Sequence, residues 1–474
     1  MQDTIQDLRK GKIQLSDYDY QSDIANRILL SELSSEALEV LEEILYSPIT
    51  FSVESLCDNL NYDVTEIHSI LSQLLPTELF TLKGTLITVD KEKRKYFETH
   101  IEKFDEDFQP NMDFFQNILR HIPIQVLPTW YQIPRSSDNI FLSLIEKCLQ
   151  TPQIFQRYMS EFISTDDILS QIIKDVYDSE ELHLFSSKIQ EKYQLSKEKY
   201  QEIALFLELN LFCITSYKKV DGQFLEILSP FQEWRRYQET LKASKPNEIP
   251  SQNNIEIYRE NEFAFISDMT QILELCKKNS IEVNFDPTSD HWALSDGGLE
   301  FLSTAIPPPK DSKIYFNKVI NKLIILGLAL IEEKSLRPTD LSYEWSSTPI
   351  KKRAHITFKH PHNFLAIEKN SQLSSQRAVL EIEKSITTVA NLNWVTFDDF
   401  LKGSIITLRD CDKITLVRSG RQWIYKFPEY NVEATDFIKF VVMEWLFESG
   451  VVQIGTYNGA PCFRVTSLGR SLFQ

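Results

Sequence analysis

The sequence is poor in glycine and lacks the short motifs that mark most enzymes and molecular motors. Only 12 of its 474 residues are glycine, against a usual frequency of roughly 7%. This scarcity disfavours nucleotide-binding folds built on glycine-rich loops and favours a helix-rich chain. The sequence contains no GxxxxGK[ST], HExxH, GxSxG or GxGxxG pattern. We therefore expect no NTPase motor, no enzymatic activity and no cofactor.

The chain also lacks paired cysteines and long apolar runs. Its six cysteines are scattered without a CxxC pair, which is typical of reduced thiols in a cytoplasmic protein. The N-terminus shows no basic-then-apolar signal pattern. The longest apolar run, 323–331, has nine residues, whereas a bilayer span needs ~20. We expect a cytoplasmic protein with no membrane association.

Basic residues are outnumbered, with 50 Lys and Arg against 68 Asp and Glu and a formal net charge of −18. This balance argues against a protein that coats nucleic acid non-specifically, because the phosphate backbone attracts a net positive surface. A local basic patch is compatible with the same composition. The 42% hydrophobic and 12% aromatic content excludes global disorder.

What recurs in the sequence is a helical stretch followed by a two-stranded hairpin. Residues 32–90 contain three amphipathic patterns and then two short apolar strands around Lys83-Gly84, which predicts a winged helix. The same order returns at 165–230 and at the end of the chain, where Asn458-Gly459 marks the last hairpin. A weaker version lies at 259–346, with 343–345 as a possible strand partner of 328–331.

The predicted fold class is therefore α+β and helix-rich, with tandem winged-helix modules joined by helical connectors. The alternative is an ordinary α+β protein, in which helices followed by hairpins are common. The predicted division is an acidic winged helix at 1–103, a helical connector at 104–160, a second winged helix at 161–241, a linker at 242–258, a degenerate winged helix at 259–346, a basic strand and helical connector at 347–392, and a C-terminal winged helix with an inserted hairpin at 393–474.

The first module fails the electrostatic test for DNA reading, which needs Lys and Arg on the third helix and the wing. Residues 31–80 contain no Lys or Arg and ten acids. The third helix would present Thr65, Glu66, His68, Ser69 and Gln73. A duplex would be repelled by this face, so a solvated or protein-docking surface is expected.

Basic candidates for nucleic-acid contact lie elsewhere in the chain. They fall on the third helix and wing of the second module, in the segment 349–362, and on the inserted hairpin of the last module. These residues are Lys197, Lys199, Lys218, Lys219, Lys351, Lys352, Arg353, Lys359, Arg418 and Arg421. The alternative for each is an ordinary solvated surface charge. Because the segment 349–362 holds no Cys or carboxylate beside His355, His360 and His362, no metal site is expected there.

The end of the chain carries a recognisable series of residues. It runs through 393–401, Trp423-Ile424-Tyr425, a helix with Trp445 that ends near Gly450, and Phe463-Arg464-Val465-Thr466-Ser467-Leu468-Gly469-Arg470. This series resembles the C-terminal part of bacterial helicase-associated proteins, which are related to the N-terminal region of XPB-type helicases. The resemblance implies tandem winged helices and an accessory role in DNA transactions.

Two functions are consistent with these observations. The first is a non-enzymatic accessory protein of DNA repair, replication or transcription, which binds a protein partner such as a helicase and weakly contacts DNA. The second is a scaffold for protein–protein interactions with no nucleic-acid contact. An enzyme with a dispersed site is a third, disfavoured class.

Overall fold

The computed structural model describes residues 20–122, 127, 139–163, 168–251, 254–287, 291–307, 309–360, 375–420 and 422–473. These residues form a helix-rich α+β structure with several short antiparallel sheets, which confirms the helix-rich α+β part of the predicted fold class. The chain divides into two compact units. The first comprises Met1–Glu239 with Ile414–Lys426, and the second comprises Thr240–Lys413 with Phe427–Gln474.

One order of elements occurs four times in the described residues: a first helix, a short strand, a second helix, a third helix and a hairpin. In each copy the short strand pairs antiparallel with the second strand of the hairpin. This second strand therefore lies between the short strand and the first strand of the hairpin. We call these copies the N-terminal module (35–89), the second module (168–230), the central module (264–338) and the C-terminal module (376–465). Their assignment to the winged-helix class remains a prediction.

Two helices of the N-terminal module begin at N-cap residues, and its hairpin turns at Gly84-Thr85, one residue beyond the predicted Lys83-Gly84. Ser34 accepts a hydrogen bond from the Ala37 amide at 3.2 Å, and the Asp63 amide donates to the Glu66 carboxylate at 3.1 Å. Both are helix N-caps, which satisfy amides that lack an intrahelical partner. A helix precedes the module. The elements are α1 (Tyr20–Ser31), α2 (Ser35–Tyr46), β1 (Thr50–Ser52), α3 (Val53–Leu60), α4 (Val64–Leu74), β2 (Phe80–Lys83) and β3 (Leu86–Val89).

Short helices connect this module to the second one, which completes the first unit. The connecting elements are α5 (Lys91–Ile101), α6 (Met112–Ile118), α7 (Ile140–Leu144) and α8 (Pro152–Ile163). The second module then contains α9 (Ile168–Asp178), β4 (Leu184–Phe185), α10 (Ser186–Tyr193), α11 (Lys197–Leu209), β5 (Cys213–Val220) and β6 (Gln223–Pro230), and α12 (Gln232–Ala243) follows it. Residues 123–126 and 128–138 of the predicted connector 104–160, and residues 164–167 of the predicted second winged helix, lie outside the described residues.

The central module has one strand more than the common order, because β9 extends its sheet beside β8. Its buried side chains belong to the same core as those of the C-terminal module. A short strand precedes the module and two helices follow it. The elements are β7 (Ile255–Ile257), α13 (Ala264–Cys276), β8 (Ile281–Asp286), β9 (His291–Leu294), α14 (Asp296–Ala305), α15 (Ser312–Ile325), β10 (Ala329–Glu332), β11 (Ser335–Pro338), α16 (Leu341–Ser347) and α17 (Ile350–Lys359).

In the C-terminal module, the third helix ends and the hairpin turns at the predicted residues. Gly450 (φ 70°), Asn458 (φ 51°) and Gly459 (φ 81°) adopt left-handed backbone, as a helix C′ position and a type I′ turn require. The elements are α18 (Gln376–Ser385), β12 (Val395–Thr396), α19 (Phe397–Gly403), α20 (Val432–Phe440), β15 (Val452–Tyr457), β16 (Ala460–Val465) and α21 (Ser467–Phe473). The helix α20 continues through Val441–Trp445 and Leu446–Glu448, and we call 432–448 the C-terminal third helix.

The inserted hairpin, β13 (Thr415–Ser419) and β14 (Gln422–Lys426), belongs to the first unit. There Trp423 lies edge-to-face against Phe141, with ring centroids 5.8 Å apart, and the Tyr425 hydroxyl donates to the Leu149 carbonyl at 2.9 Å. The sequence places this hairpin within the C-terminal module, whereas its aromatic residues pack against the connecting helices of the first unit.

Three local predictions were wrong. The segment predicted as a basic strand forms the helix α17, because Ala354 and Thr357 give it a buried face at helical spacing. Residues 343–345 lie in α16, and β10 pairs with β11 instead. The predicted linker 242–258 ends in the strand β7, which pairs with β15.

Candidate functional site

The third helix of the second module is a core element of the first unit. From Tyr200 to Leu209 every residue of α11 except Glu202 is buried. Ile24 of α1 packs with Leu205 and Leu209. A DNA-reading helix must present an open face to the major groove, and α11 presents only its first turn and Glu202 to solvent.

A buried charge cluster holds α1 against α11. The Arg27 guanidinium lies 3.0 Å from the Glu208 carboxylate, and the Lys103 ammonium lies 3.2 Å from it. Burial opposes ionisation of Glu208, but the charges of Arg27 and Lys103 outweigh it and lower the pKa of this carboxyl to about 2. Glu208 therefore stabilises the fold above its ordinary pKa, and this stabilisation is lost as the pH falls through about 2.

The four predicted phosphate contacts of the second module all have carboxylate partners. Lys197 pairs with Glu32, and Lys199 lies 3.0 Å from Glu202. On the wing, Lys218 lies 3.7 Å from Glu181 and Lys219 lies 3.8 Å from Glu106. These pairs are largely solvent-exposed and individually weak. Together they place a negative charge beside each ammonium group, which diminishes the attraction of this surface for phosphate.

The third helices of the central and C-terminal modules pair with each other. Lys318 of α15 lies 2.5 Å from Glu444, and one turn further Lys322 lies 2.6 Å from Glu448. The Lys322 ammonium also lies 5.4 Å from the ring centroid of Trp445. These cations point at carboxylates of the neighbouring helix, so they do not form a phosphate-binding face. In the sequence, Lys318 and Lys322 are four residues apart, as are Glu444 and Glu448, so each pair of like charges lies on one face of its helix. This matching spacing could have indicated that the two helices pair.

The helix α17 carries the least neutralised basic residues of the predicted set. Lys351, Lys352 and Lys359 are exposed, and none has an ion-pair partner among the residues that the structure describes. Arg353 differs, because it is half-buried and its guanidinium donates to the Thr270 hydroxyl. Burial also lowers the pKa of Arg353. Arg353 is therefore a packing residue of the central module.

The remaining predicted residues are not gathered into one site. Arg418 is exposed near the tip of the first unit's inserted hairpin. Arg421 and His362 lie outside the described residues. Among the described residues, His355 and His360 included, no group of three His, Cys, Asp or Glu side chains could hold a metal ion.

In the N-terminal module, by contrast, the outer face of the third helix is open. The residues Thr65, Glu66, Ser69 and Gln73 of α4 are exposed. Beside it, the Tyr62 hydroxyl donates to Glu39 at 2.7 Å. This hydrogen bond, burial, and the charges of Glu39, Glu36 and Glu66 raise the pKa of Tyr62 to about 12. The carboxylates of α2 and α4 therefore converge on one tyrosine.

We call Glu36, Glu39, Glu43 and Glu66 the acidic surface. Glu43 joins it by accepting a hydrogen bond from Asn59 at 2.6 Å. None of these four carboxylates pairs with a Lys or Arg in the part of the chain that the structure describes. The acids are visible in the sequence, but the convergence of Glu36, Glu39 and Glu66 on Tyr62 depends on how α2 packs against α3 and α4.

We expect the variant Glu383→Gln to stabilise the second unit above pH 7 and to have little effect near pH 5. Burial raises the pKa of Glu383 to about 7, although the bond that it accepts from the Trp445 indole opposes the shift. An acid with a raised pKa stabilises the fold below its ordinary pKa of 4.5 and loses that contribution as the pH rises to about 7. The glutamine side chain does not ionise and so avoids this loss. We expect it to raise the free energy of unfolding by about 1–3 kcal/mol at pH 8.

Thermal or denaturant unfolding of both proteins at pH 5 and pH 8 measures this difference. A gain of equal size at both pH values would contradict the assignment of the effect to ionisation of Glu383.

Comparison of the chain with protein-family models, with curated proteins and with solved structures gives no match. Across the described ranges, none of the helices has both the length and the apolar character needed to cross a membrane.

Proposed function

We propose that this chain is a non-enzymatic interaction scaffold of four winged-helix modules, which docks a protein partner through the acidic surface of its N-terminal module. The observation that carries the proposal is that the third helices of the modules differ in how much of their outer surface is open to solvent. In the described part of the chain, α11 is buried in its unit, and α15 pairs with the C-terminal third helix. The outer face of α4 is open to solvent.

The charge of that open face supports a protein partner over a duplex. A DNA-reading module needs several cations to neutralise phosphates, and residues 31–80 supply none. Unpaired carboxylates on a surface attract a partner with complementary positive charge and accelerate its association. Val64, in the first turn of α4, adds an apolar side chain that is 52% exposed.

We expect the triple variant Glu36→Gln/Glu39→Gln/Glu43→Gln to lose the partner while keeping the fold. The glutamines at positions 39 and 43 can still accept the hydrogen bonds that tie α2 to Tyr62 and Asn59, but three negative charges are removed. The measurement is quantitative affinity capture from the native host with the full chain, comparing the wild type with the variant. A loss of tenfold or more in captured partner is expected, because each neutralised contact of this kind contributes roughly 0.5–1 kcal/mol.

A matched control is Glu300→Gln/Glu333→Gln/Glu344→Gln, which removes three exposed carboxylates from the second unit. This control should capture the partner as the wild type does. Equal capture by all three proteins would refute docking through the acidic surface.

A second function, weak contact with DNA, is favoured by α17. Lys351, Lys352 and Lys359 lie on one helix without carboxylate partners among the described residues. The resemblance to helicase-associated proteins would make the protein partner a helicase or another component of a DNA-transaction complex. Location in the cytoplasm is part of this proposal, supported by the six cysteines, which are all free thiols.

A further inference from the structure

A cavity of about 220 Å³ lies in the second unit, between α13, α15 and the C-terminal third helix. Four aromatic rings line it, and each meets the next edge-to-face in a closed circuit of Tyr258, Tyr315, Phe265 and Phe447. The centroids of neighbouring rings are 5.7–6.1 Å apart. An engineered cavity of about 150 Å³ holds benzene, so this cavity has room for a compact ligand group of similar size.

Hydrogen bonds hold two of these tyrosines before any ligand arrives. The Tyr315 hydroxyl donates to the buried Asp268 carboxylate at 2.5 Å, and the Arg259 guanidinium donates to the same carboxylate at 2.7 and 2.8 Å. The main chain of Tyr258 is fixed by the bond from its amide to the Ile454 carbonyl at 3.0 Å. The aromatic walls are therefore preformed, which lowers the ordering cost of binding.

The ionised groups around the cavity leave one carboxylate without a counter-charge, that of Asp311 in the lining. The nearby ammonium groups are neutralised in the pairs Lys318–Glu444, Lys322–Glu448 and Lys310–Glu256. Asp311 is exposed and forms no ion pair within the ranges that the structure describes. Burial, followed by the charge of Asp311, raises the pKa of Tyr258 to about 12. The Asp311 carboxylate therefore lies near the half-buried Tyr258, at the open side of the cavity.

We propose that this cavity binds a trimethylammonium group, with Asp311 as the counter-charge at its entrance. Aromatic rings attract cations through their quadrupole, and the Arg259 guanidinium already lies 5.7 Å from the ring centroid of Tyr315. A primary ammonium is strongly hydrated and needs hydrogen-bond acceptors, which ring walls do not supply. A trimethylammonium group has no N–H donors, so aromatic walls suit it. This inference is independent of the proposed protein docking, which involves the first unit.

The test uses choline and N-acetyl-trimethyllysine amide, which carry this group as a free metabolite and as a modified protein side chain. Their matched controls are 3,3-dimethylbutan-1-ol, in which carbon replaces the charged nitrogen of choline, and the unmethylated lysine amide. Binding to the full-length protein is measured by ligand-observed NMR and calorimetry. We expect the tighter cation to bind with a dissociation constant near about 1 mM, at least about tenfold more tightly than its control, and its identity indicates the source of the group. Equal binding of cations and controls, or no binding at about 10 mM, would overturn the proposal.

Two variants locate the site. Tyr258→Leu removes one aromatic ring and should weaken the bound cation about fivefold or more. Asp311→Asn removes an exposed charge without disturbing the core and should weaken it about twofold to threefold, with a larger effect at low salt. The control Tyr343→Leu makes the first replacement at a tyrosine that is 61% exposed and lies outside the cavity lining, and it should change nothing. Cation binding that survives both cavity variants unchanged would place the ligand elsewhere and refute the assignment.

Discussion

Replacement of Glu208 by glutamine is expected to destabilise the first unit by about 3–5 kcal/mol, because it leaves two buried cations without their shared counter-charge. Glu208 is fully buried and lies within 3.0–3.2 Å of the charged groups of Arg27 and Lys103. Hydrogen exchange resolved by peptide measures the effect, since it reports the opening free energy of α11 separately from that of the second unit.

The matched control is Glu202→Gln on the same helix. Glu202 pairs with Lys199 at the surface, and its loss should cost less than about 0.5 kcal/mol. Amides of the second unit serve as an internal reference and should exchange at wild-type rates in both variants. If Glu208→Gln were as mild as the control, the description of α11 as a core helix fastened by buried charges would be wrong.

Replacement of Trp445 by alanine is expected to destabilise the second unit by about 3–5 kcal/mol, as is usual when a buried tryptophan is truncated. The side chain is buried, its indole donates to Glu383 at 3.2 Å, and Lys322 lies over its ring. Truncation therefore opens a cavity and leaves the Glu383 carboxylate without this donor. Denaturant unfolding followed by circular dichroism, with hydrogen exchange of α15, measures the loss.

The graded variant Trp445→Phe keeps most of the apolar volume and the aromatic face for Lys322. It should recover more than half of the stability that the alanine variant loses. Stability unchanged in Trp445→Ala would mean that the C-terminal third helix does not depend on this contact, and that the pairing of third helices in the second unit is incidental.

Much of the fold could be predicted because its signals are local. Caps at Ser34 and Asp63 and turns at Gly84-Thr85, one residue beyond the predicted Lys83-Gly84, and at Asn458-Gly459 are determined by neighbouring residues, so element order followed from the sequence. The errors arose where distant packing decides the structure. The segment 350–359 is polar enough to suggest an exposed strand, and only the core of the second unit gives Ala354 and Thr357 a surface to cover.

The candidate site was less predictable than the fold for the same reason. A lysine in a sequence carries no sign of whether a carboxylate will lie beside it. Lys197 pairs with Glu32 and Lys219 with Glu106 across large sequence separations, so folding neutralises much of the positive charge that the sequence offers to phosphate. The acidic surface keeps its charge, because no cation folds back onto it from the rest of the described chain.

The central claim is that the third helices serve packing and protein docking, not the reading of a duplex. Fluorescence anisotropy of the full-length protein with labelled double-stranded DNA, at about 50 and 200 mM salt, tests this claim most directly. The account predicts weak binding that disappears in Lys351→Ala/Lys352→Ala/Lys359→Ala. The salt dependence of this binding should be shallow and correspond to at most about three phosphate contacts. Affinity that falls by three or more orders of magnitude over this range, and that is abolished in Lys197→Ala/Lys199→Ala, would contradict it.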